Sequence, residues 1–332
     1  MTRLAHLQAA VSERLRTPGI MGWVLVALLP GSAALCWLYG PAYLPRMAFA
    51  IVLGLAVEAA ALWLQRRPIG SALLDGSALL TCLLLVLAMP PQTPYGVLAL
   101  AVVTAVGLAK HLYGGLGNNP FNPAIVGYVV ALVSFPAAMA SWPAIGSSAG
   151  ASAGASAGAS AGAVTADAFT GATVLTSFRY REGLTVADIW QANAEFGALG
   201  GYGWEWVNAA FLAGGLMLIA MGLASWRVPV ALLATLGGLS ALGYDNGSSS
   251  SLGSPAFHWF SGGTMLAAFF FATDPVTHPS SARGQLAFGC LVGAMAFMIR
   301  SFGNYPDGIA FGILLGNAAT PFMDKYWTTR RD

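Results

Sequence analysis

The sequence predicts an all-α integral membrane protein of about ten transmembrane helices, arranged as two inverted five-helix repeats. Three observations predict it. Charged residues make up 8% of the 332 positions and hydrophobic residues 57%, with a mean hydropathy of +0.68, values that no water-soluble domain of this size tolerates. Ten apolar stretches approach the length needed to cross the hydrocarbon core, about 20 helical residues. Short polar patterns in the first half return in the second at a constant offset. Membrane lipid is the expected surrounding, and no nucleic-acid partner is expected; the net charge of +2 says less than its distribution.

The first five stretches are 20–39, 43–64, 73–89, 94–111 and 121–138; the second five are 204–224, 228–244, 256–273, 284–300 and 306–322. The chain therefore divides into an N-terminal five-helix half (1–138), a linker (139–203) and a C-terminal five-helix half (204–332). With both termini cytoplasmic, Arg3, Arg14, Arg16, Arg66, Arg67, Lys110, Arg227, Arg283, Lys325, Arg330 and Arg331 fall inside, and Arg46, Arg179, Arg181 and Arg300 outside. Eleven against four is the bias expected of cytoplasmic loops, and the opposite orientation inverts it. The linker is thus expected on the periplasmic side of a bacterial inner membrane.

The recurrence joins Asp75-Gly76-Ser77-Ala78-Leu79-Leu80 to Ser261-Gly262-Gly263-Thr264-Met265-Leu266 and, at the same separation, Asn118-Asn119-Pro120 to Asn304-Tyr305-Pro306. Five spans per half give the copies opposite orientation, the plan of many transport folds. The matches are short, and small residues recur in membrane helices anyway. Within each copy Gly and Pro interrupt the apolar pattern, at 114–123 and at 302–308. Backbone released from a helix at membrane depth must find partners in protein, water or a ligand, which makes these segments site candidates. The alternative is an ordinary turn with Pro120 or Pro306 opening the next helix.

The linker has two parts. Residues 147–163 are almost purely Ala, Ser and Gly, side chains too small to pack, and read as a flexible tether. Residues 166–181 differ, because Phe169, Val174, Leu175 and Phe178 are spaced among Thr, Asp and Gly and can rest on the outer surface of the bundle.

Cys36, Cys82 and Cys290 all lie in apolar runs without metal-ligand spacing and read as buried packing thiols. His6, His111, His258 and His278 read as solvated or interfacial. There is no Gly-rich phosphate loop between strand and helix, so the chain is not expected to oxidise a nicotinamide nucleotide directly. Ionisable groups inside the membrane are costly unless they face protein or water. Glu58, deep in the second span, and Asp307, beside a break, are candidates for an ion path; Asp75, Glu205 and Asp274 sit near span ends. No metal site is expected.

Asp167, Thr170, Gly171, Ala172 and Thr173 stand in the order D-x-x-[ST]-G-A-[ST]. The stretch resembles the sequence by which certain membrane redox proteins receive FMN, as a phosphoester on the last hydroxyl. The chemistry fits: a hydroxyl that must enter a transferase site needs small neighbours, and Gly171 and Ala172 supply them. Residues 110–128 (KHLYGGLGNNPFNPAIVGY), 203–208 (GWEWVN), 261–275 (SGGTMLAAFFFATDP) and 299–308 (IRSFGNYPDG) resemble the D-subunit family of the Rnf, or Rsx, ion-translocating electron transport complexes. The B subunit of the sodium-pumping NADH:quinone oxidoreductase is similar and more distant. Thr170 stands where Ser is commoner, and the Ala/Ser/Gly tract replaces a more varied loop.

The resemblance implies covalent FMN on Thr173 and allows a second, non-covalent flavin (riboflavin) in the bundle. It implies a subunit that relays electrons in a larger complex linked to ferredoxin and NAD, coupled to Na⁺ or H⁺ movement and catalytically incomplete alone. Its partners would be the other subunits of the complex and, during maturation, a flavin transferase. Asn118, Asn122, Trp204 and Asp307 are the expected pocket or path residues. The rival reading is a channel or transporter of inverted-repeat fold with no redox role.

Overall fold

The computed structural model describes residues 17–115, 117–143, 170–171, 173–181, 183–193, 195–305 and 307–328. The lead carrying Arg3, His6, Arg14 and Arg16, the tract 147–163, Asp167, Ala172, Pro306, Arg330 and Arg331 lie outside the described residues. Helices fall where the apolar stretches lie. In the first half these are α1 (Thr17–Tyr39), α2 (Tyr43–Leu64), α3 (Ser77–Ala88), α4 (Tyr95–Lys110, π-helical from Val103) and α5 (Pro123–Ser134). Two short helices, α6 (Val174–Arg179) and α7 (Val186–Ala192), belong to the linker. The second half comprises α8 (Trp204–Ala220), α9 (Arg227–Leu242), α10 (Pro255–Phe260), α11 (Thr264–Leu266, continued by the π-helix Ala267–Phe271), α12 (Ala282–Phe302) and α13 (Ile309–Thr328). The only strands among the described residues are the two-residue antiparallel pair Trp142–Pro143 and Thr170–Gly171.

Three helices, at Gly19–Tyr39, Tyr43–Leu64 and Ala282–Phe302, are long and apolar enough to cross a membrane, and five shorter apolar helices accompany them. The shortness has local causes. The expected span 73–89 is helical in this register only from Ser77, because Gly76 turns with φ +77°. Its counterpart 256–273 is cut in two between α10 and α11, where Gly262 has φ +61°; a left-handed residue cannot continue the helix. Helix α5 is started by Asn122, whose side chain accepts from the N–H groups of Ala124 and Ile125, with Pro123 at the first position.

The helix starts repeat. Thr17, Tyr43, Ser77, Tyr95 and Pro123 are followed, at a nearly constant separation, by Trp204, Arg227, Thr264, Ala282 and Ile309. Equivalent helices meet at the centre, α1 against α8 and α5 against α13, while α9 packs on α12 and α2 on α3. Small residues set these contacts: a Cβ on Gly214 of α8 would lie 2.0 Å from the Ala27 carbonyl oxygen of α1. Helix α11 is innermost, with every residue from Thr264 to Phe271 almost fully buried. Trp37 and Trp63 of α1 and α2 point outward.

The linker helices rest on a satellite core of Val174, Leu175, Phe178, Ile189 and Phe196 against Phe257 of α10. Arg179 donates to the Ser301 carbonyl at the end of α12, and Arg181 to those of Ser249 and Ser251. The Arg181 guanidinium also lies 4.4 Å from the Phe178 ring centre, and part-burial beside Arg179 lowers its proton affinity below that of an ordinary guanidinium.

Candidate functional site

Two cavities open at opposite ends of the same helices. The first, about 210 Å³, is lined by the N-terminal turns of α8, the start of α11, the end of α3 and Asn304, Tyr305, Asp307, Ile309 and Ala310. Thr173 stands on its rim, positioned from both sides: the strand pair sets Trp142 opposite Gly171, and Thr173 itself caps α6. Its Oγ1 accepts the Thr176 N–H at 3.2 Å and shares a 2.8 Å hydrogen bond with the Thr176 hydroxyl. One wall is aromatic. The Trp142 and Trp204 rings are 5.2 Å apart, and the Trp204 indole N–H donates to the Tyr39 hydroxyl at 2.8 Å.

Opposite the aromatic wall the lining turns polar. The Asp307 carboxylate accepts from the Arg300 guanidinium at 3.1 Å, and Arg300 is itself buried, donating to the Thr264 hydroxyl and the His258 carbonyl. Asp307 also accepts the Ile309 N–H at 3.2 Å, so it opens α13. Asn208 fastens the broken third span, donating to the Gly262 carbonyl at 2.9 Å and accepting from the Met265 N–H at 3.0 Å. An apolar slot with an aromatic side, a polar rim and a hydroxyl at its mouth suits a flat conjugated ring tethered to that hydroxyl.

The second cavity, about 120 Å³, lies at the start of α3 and the C-terminal ends of α8 and α11. On α5 the linings adjoin between Ala124 and Ile125, while along α8 the first cavity is lined by Trp204, Val207, Asn208 and Phe211 and the second by Leu218, about 10 to 20 Å further on at the helical rise per residue. Asn122 is its polar hub: its amide nitrogen donates to Asp274 at 3.2 Å, while its backbone N–H donates to Asn317 at 3.1 Å. The Oδ1 of Asn119 is buried without a partner, and Asn119 lines this cavity. A buried acceptor left open in this way calls for a donor on a ligand or water. Linings correspond across the two halves. Met21 and Val207, Leu80 and Leu266, Asn119 and Tyr305, and Ala124 and Ala310 are all separated in the chain as Asp75 is from Ser261, the first of each pair lining one cavity and the second the other.

The structure brings Thr173, Trp204 and Asp307 together and places Asn122 in the other cavity. Thr170 and Gly171 form the short strand beside Trp142, and Asp167 and Ala172 fall outside the described residues. Asn118 is exposed and lines neither cavity; its neighbour Asn119 does. Glu58 lies in neither cavity lining, being 1% exposed and ion-paired with Lys110, which itself lines the second.

Two expectations need correction. His111 and His258 are buried, not solvated, each held by a partner on another segment. Of the cysteines only Cys82 is buried, whereas Cys36 is half-buried and Cys290 exposed, because one face of each of those helices looks outward. Arg300, Asn208, Trp142 and Asn119 were not foreseen. Asn119, Asn208 and Arg300 do lie within the stretches that carry the family resemblance, whereas Trp142 has no such signal.

Residues 5–331 match the model of the NQR2, RnfD, RnfE family. The chain is 50% identical over 316 residues to the D subunit of the ion-translocating oxidoreductase complex of Pseudomonas paraeruginosa, covering 95% of this chain and 92% of that one. It is 44% identical over 331 residues to the protein of the same name from Citrobacter koseri, with 95% and 94% covered. The corresponding Vibrio atlanticus protein is 42% identical over 336 residues, with 96% and 95% covered.

Proposed function

This chain belongs to the NQR2, RnfD, RnfE family, and from that premise we propose that it is the flavin-carrying membrane subunit of an ion-translocating electron transport complex. The observation that carries the reading is the Thr173 hydroxyl, within a flavinylation-like motif, at the mouth of an aromatic-walled cavity. Thr173 would hold FMN through a phosphoester, with Trp142 and Trp204 packing the ring and Asn208 and Asp307 at its polar edge. The second cavity would take a non-covalent flavin, riboflavin, whose donors would satisfy the open Asn119 oxygen and whose edge would meet Asn122 and Asp274. Flavins supply one- and two-electron chemistry; the protein supplies position, exclusion of water and a local field.

The remaining parts of the reading follow from this arrangement. The matched cavities, helix starts and polar breaks support two inverted five-helix repeats, each contributing one cavity near one face of a bacterial inner membrane. The charge count favours both termini in the cytoplasm and Thr173 outside. Other subunits of the complex would deliver and remove electrons between ferredoxin and NAD, with Na⁺ or H⁺ movement coupled to the transfer, and a flavin transferase would load Thr173. A denaturing gel of the chain, made alongside the transferase and imaged for flavin fluorescence, should show a band that Thr173→Val abolishes. Absence of the wild-type band sinks the reading, and solute flux through the purified chain without flavin would favour a transporter.

A further inference from the structure

Beside the second cavity lies a chain of polar groups that no flavin contact requires. Glu58 of α2 accepts from the Lys110 ammonium and, at 3.2 Å, meets the His111 Nε2, all three side chains being at most 3% exposed. Lys110 donates also to the Ser77 hydroxyl at 2.7 Å, and Ser77 donates to the carboxylate of half-buried Asp75. Two buried atoms of the cluster have no partner, Glu58 Oε2 and His111 Nδ1. The charged or titratable groups facing it are Lys110 of α4, Cys82 of α3, Asp75 through Ser77, and Arg67, whose guanidinium donates to the Gly114 carbonyl at 2.7 Å near the His111 ring.

We propose that Glu58, Lys110 and His111 form a buried proton-binding site that exchanges with the surface through Ser77 and Asp75. A proton, not a metal cation, suits the donor set: hard cations need several oxygen ligands, whereas the open imidazole nitrogen needs one proton. With Glu58 ionised, Lys110 protonated and His111 neutral the cluster carries no net charge, and binding one proton makes it +1, with the imidazolium held against Glu58. The donor order fixes how the proton leaves. Ser77 hands its hydroxyl proton to the Asp75 carboxylate and takes one from Lys110; the Lys110 amine is refilled from the His111 imidazolium through Glu58; Asp75 then releases its proton to water. One proton has moved from the His111 Nε2 to solvent, the ring is left neutral with its proton on Nδ1, and every other group regains its starting protonation. The site deepens the ion-coupling part of the proposed function and rests on it only for what drives the cycle, an electron arriving in the adjoining cavity.

The chain has four histidines, so the full-length protein in lipid, labelled at histidine alone, gives few enough nuclear magnetic resonance signals to follow His111, assigned by its loss in His111→Gln. The His111 ring signals should change on acidification as the site takes up its proton. Glu58→Gln should weaken its proton affinity at least about tenfold, since an opposite charge at this distance favours the charged form by one unit or more. Asp75→Asn should slow proton exchange several-fold while weakening the affinity by less than Glu58→Gln does. If Glu58→Gln fails to fold, Glu58→Asp should move the affinity in the same direction by less. An invariant His111 signal, or one indifferent to Glu58, overturns the site; exchange unaffected by Asp75→Asn overturns the route. The measurement needs no flavin. A chain that lacks the fluorescent band yet shows this behaviour retires the flavin reading alone, and a fluorescent chain without it retires the proton site alone.

Discussion

Asn208 and Asn122 each use one amide side chain to hold broken backbone in place. Asn208 is almost fully buried and satisfies both the Gly262 carbonyl and the Met265 N–H, one on either side of the break. Asn208→Leu strands both groups, each costing about 1–3 kcal/mol when buried unpaired, so the variant should lose roughly 2–6 kcal/mol, read as a lowered unfolding temperature in detergent. Legibility differed sharply among such residues. Thr173 carries a local signal, five positions of one motif, and it lines the first cavity. Asn119, not Asn118, faces the cavity because the Gly-rich turn before it fixes which neighbour points inward, and no pattern in the sequence encodes that. The Glu58–Lys110 pair joins two helices far apart in the chain; Glu58 was visible as an expensive charge and Lys110 only as one of the inside positive charges, so the partnership was not legible.

At the level of elements, hydropathy located the helices well and their breaks less well. The stretch 256–273 reads as one continuous apolar span, yet Gly262 divides it, and only the left-handed turn explains why α11 begins afresh inside the bundle. The contact of α1 with α8 makes a firm prediction. Gly214→Ala places a methyl group 2.0 Å from the Ala27 carbonyl oxygen, which the helices can relieve only by separating, and overpacking of this kind costs about 1–3 kcal/mol. Thermal unfolding followed by tryptophan fluorescence should show the loss, whereas Gly238→Ala on α9, with open space around it, should be silent. The linker helix α7 makes a prediction about pH. Its capping box joins the Thr185 hydroxyl to the Asp188 N–H and the Asp188 carboxylate to the Thr185 N–H and hydroxyl, and these bonds hold the Asp188 carboxyl below the ordinary aspartate range. A depressed folded-state value means that the contribution is present above the unfolded value, about 3.9, and fades as pH falls through the folded one. Amide protection in α7, taken relative to the intrinsic exchange rate at each pH, should therefore fall on acidification in that window, and Asp188→Asn should remove most of the fall.

For the whole molecule, composition settled the solvent and charge asymmetry supplied an orientation; the pairing of the two halves needed three dimensions, because α1 meets α8 and α5 meets α13 across long intervals of chain. The orientation has a direct check. With Cys36 and Cys290 replaced by Ser, Tyr180→Cys places a thiol on a residue 61% exposed in the linker, and a membrane-impermeant maleimide should label it from the periplasmic side of intact cells. Labelling from the cytoplasmic side alone would reverse the topology. The separation of the two cavities along α8, about 10 to 20 Å, also has an electrical meaning. In a hydrocarbon core of about 30 Å, a charge moved from one to the other crosses roughly one-third to two-thirds of the membrane potential, worth about 0.8–1.5 kcal/mol at about 100 mV. Electron passage through this subunit would then be electrogenic by itself, and its rate would answer to voltage even before any ion moves.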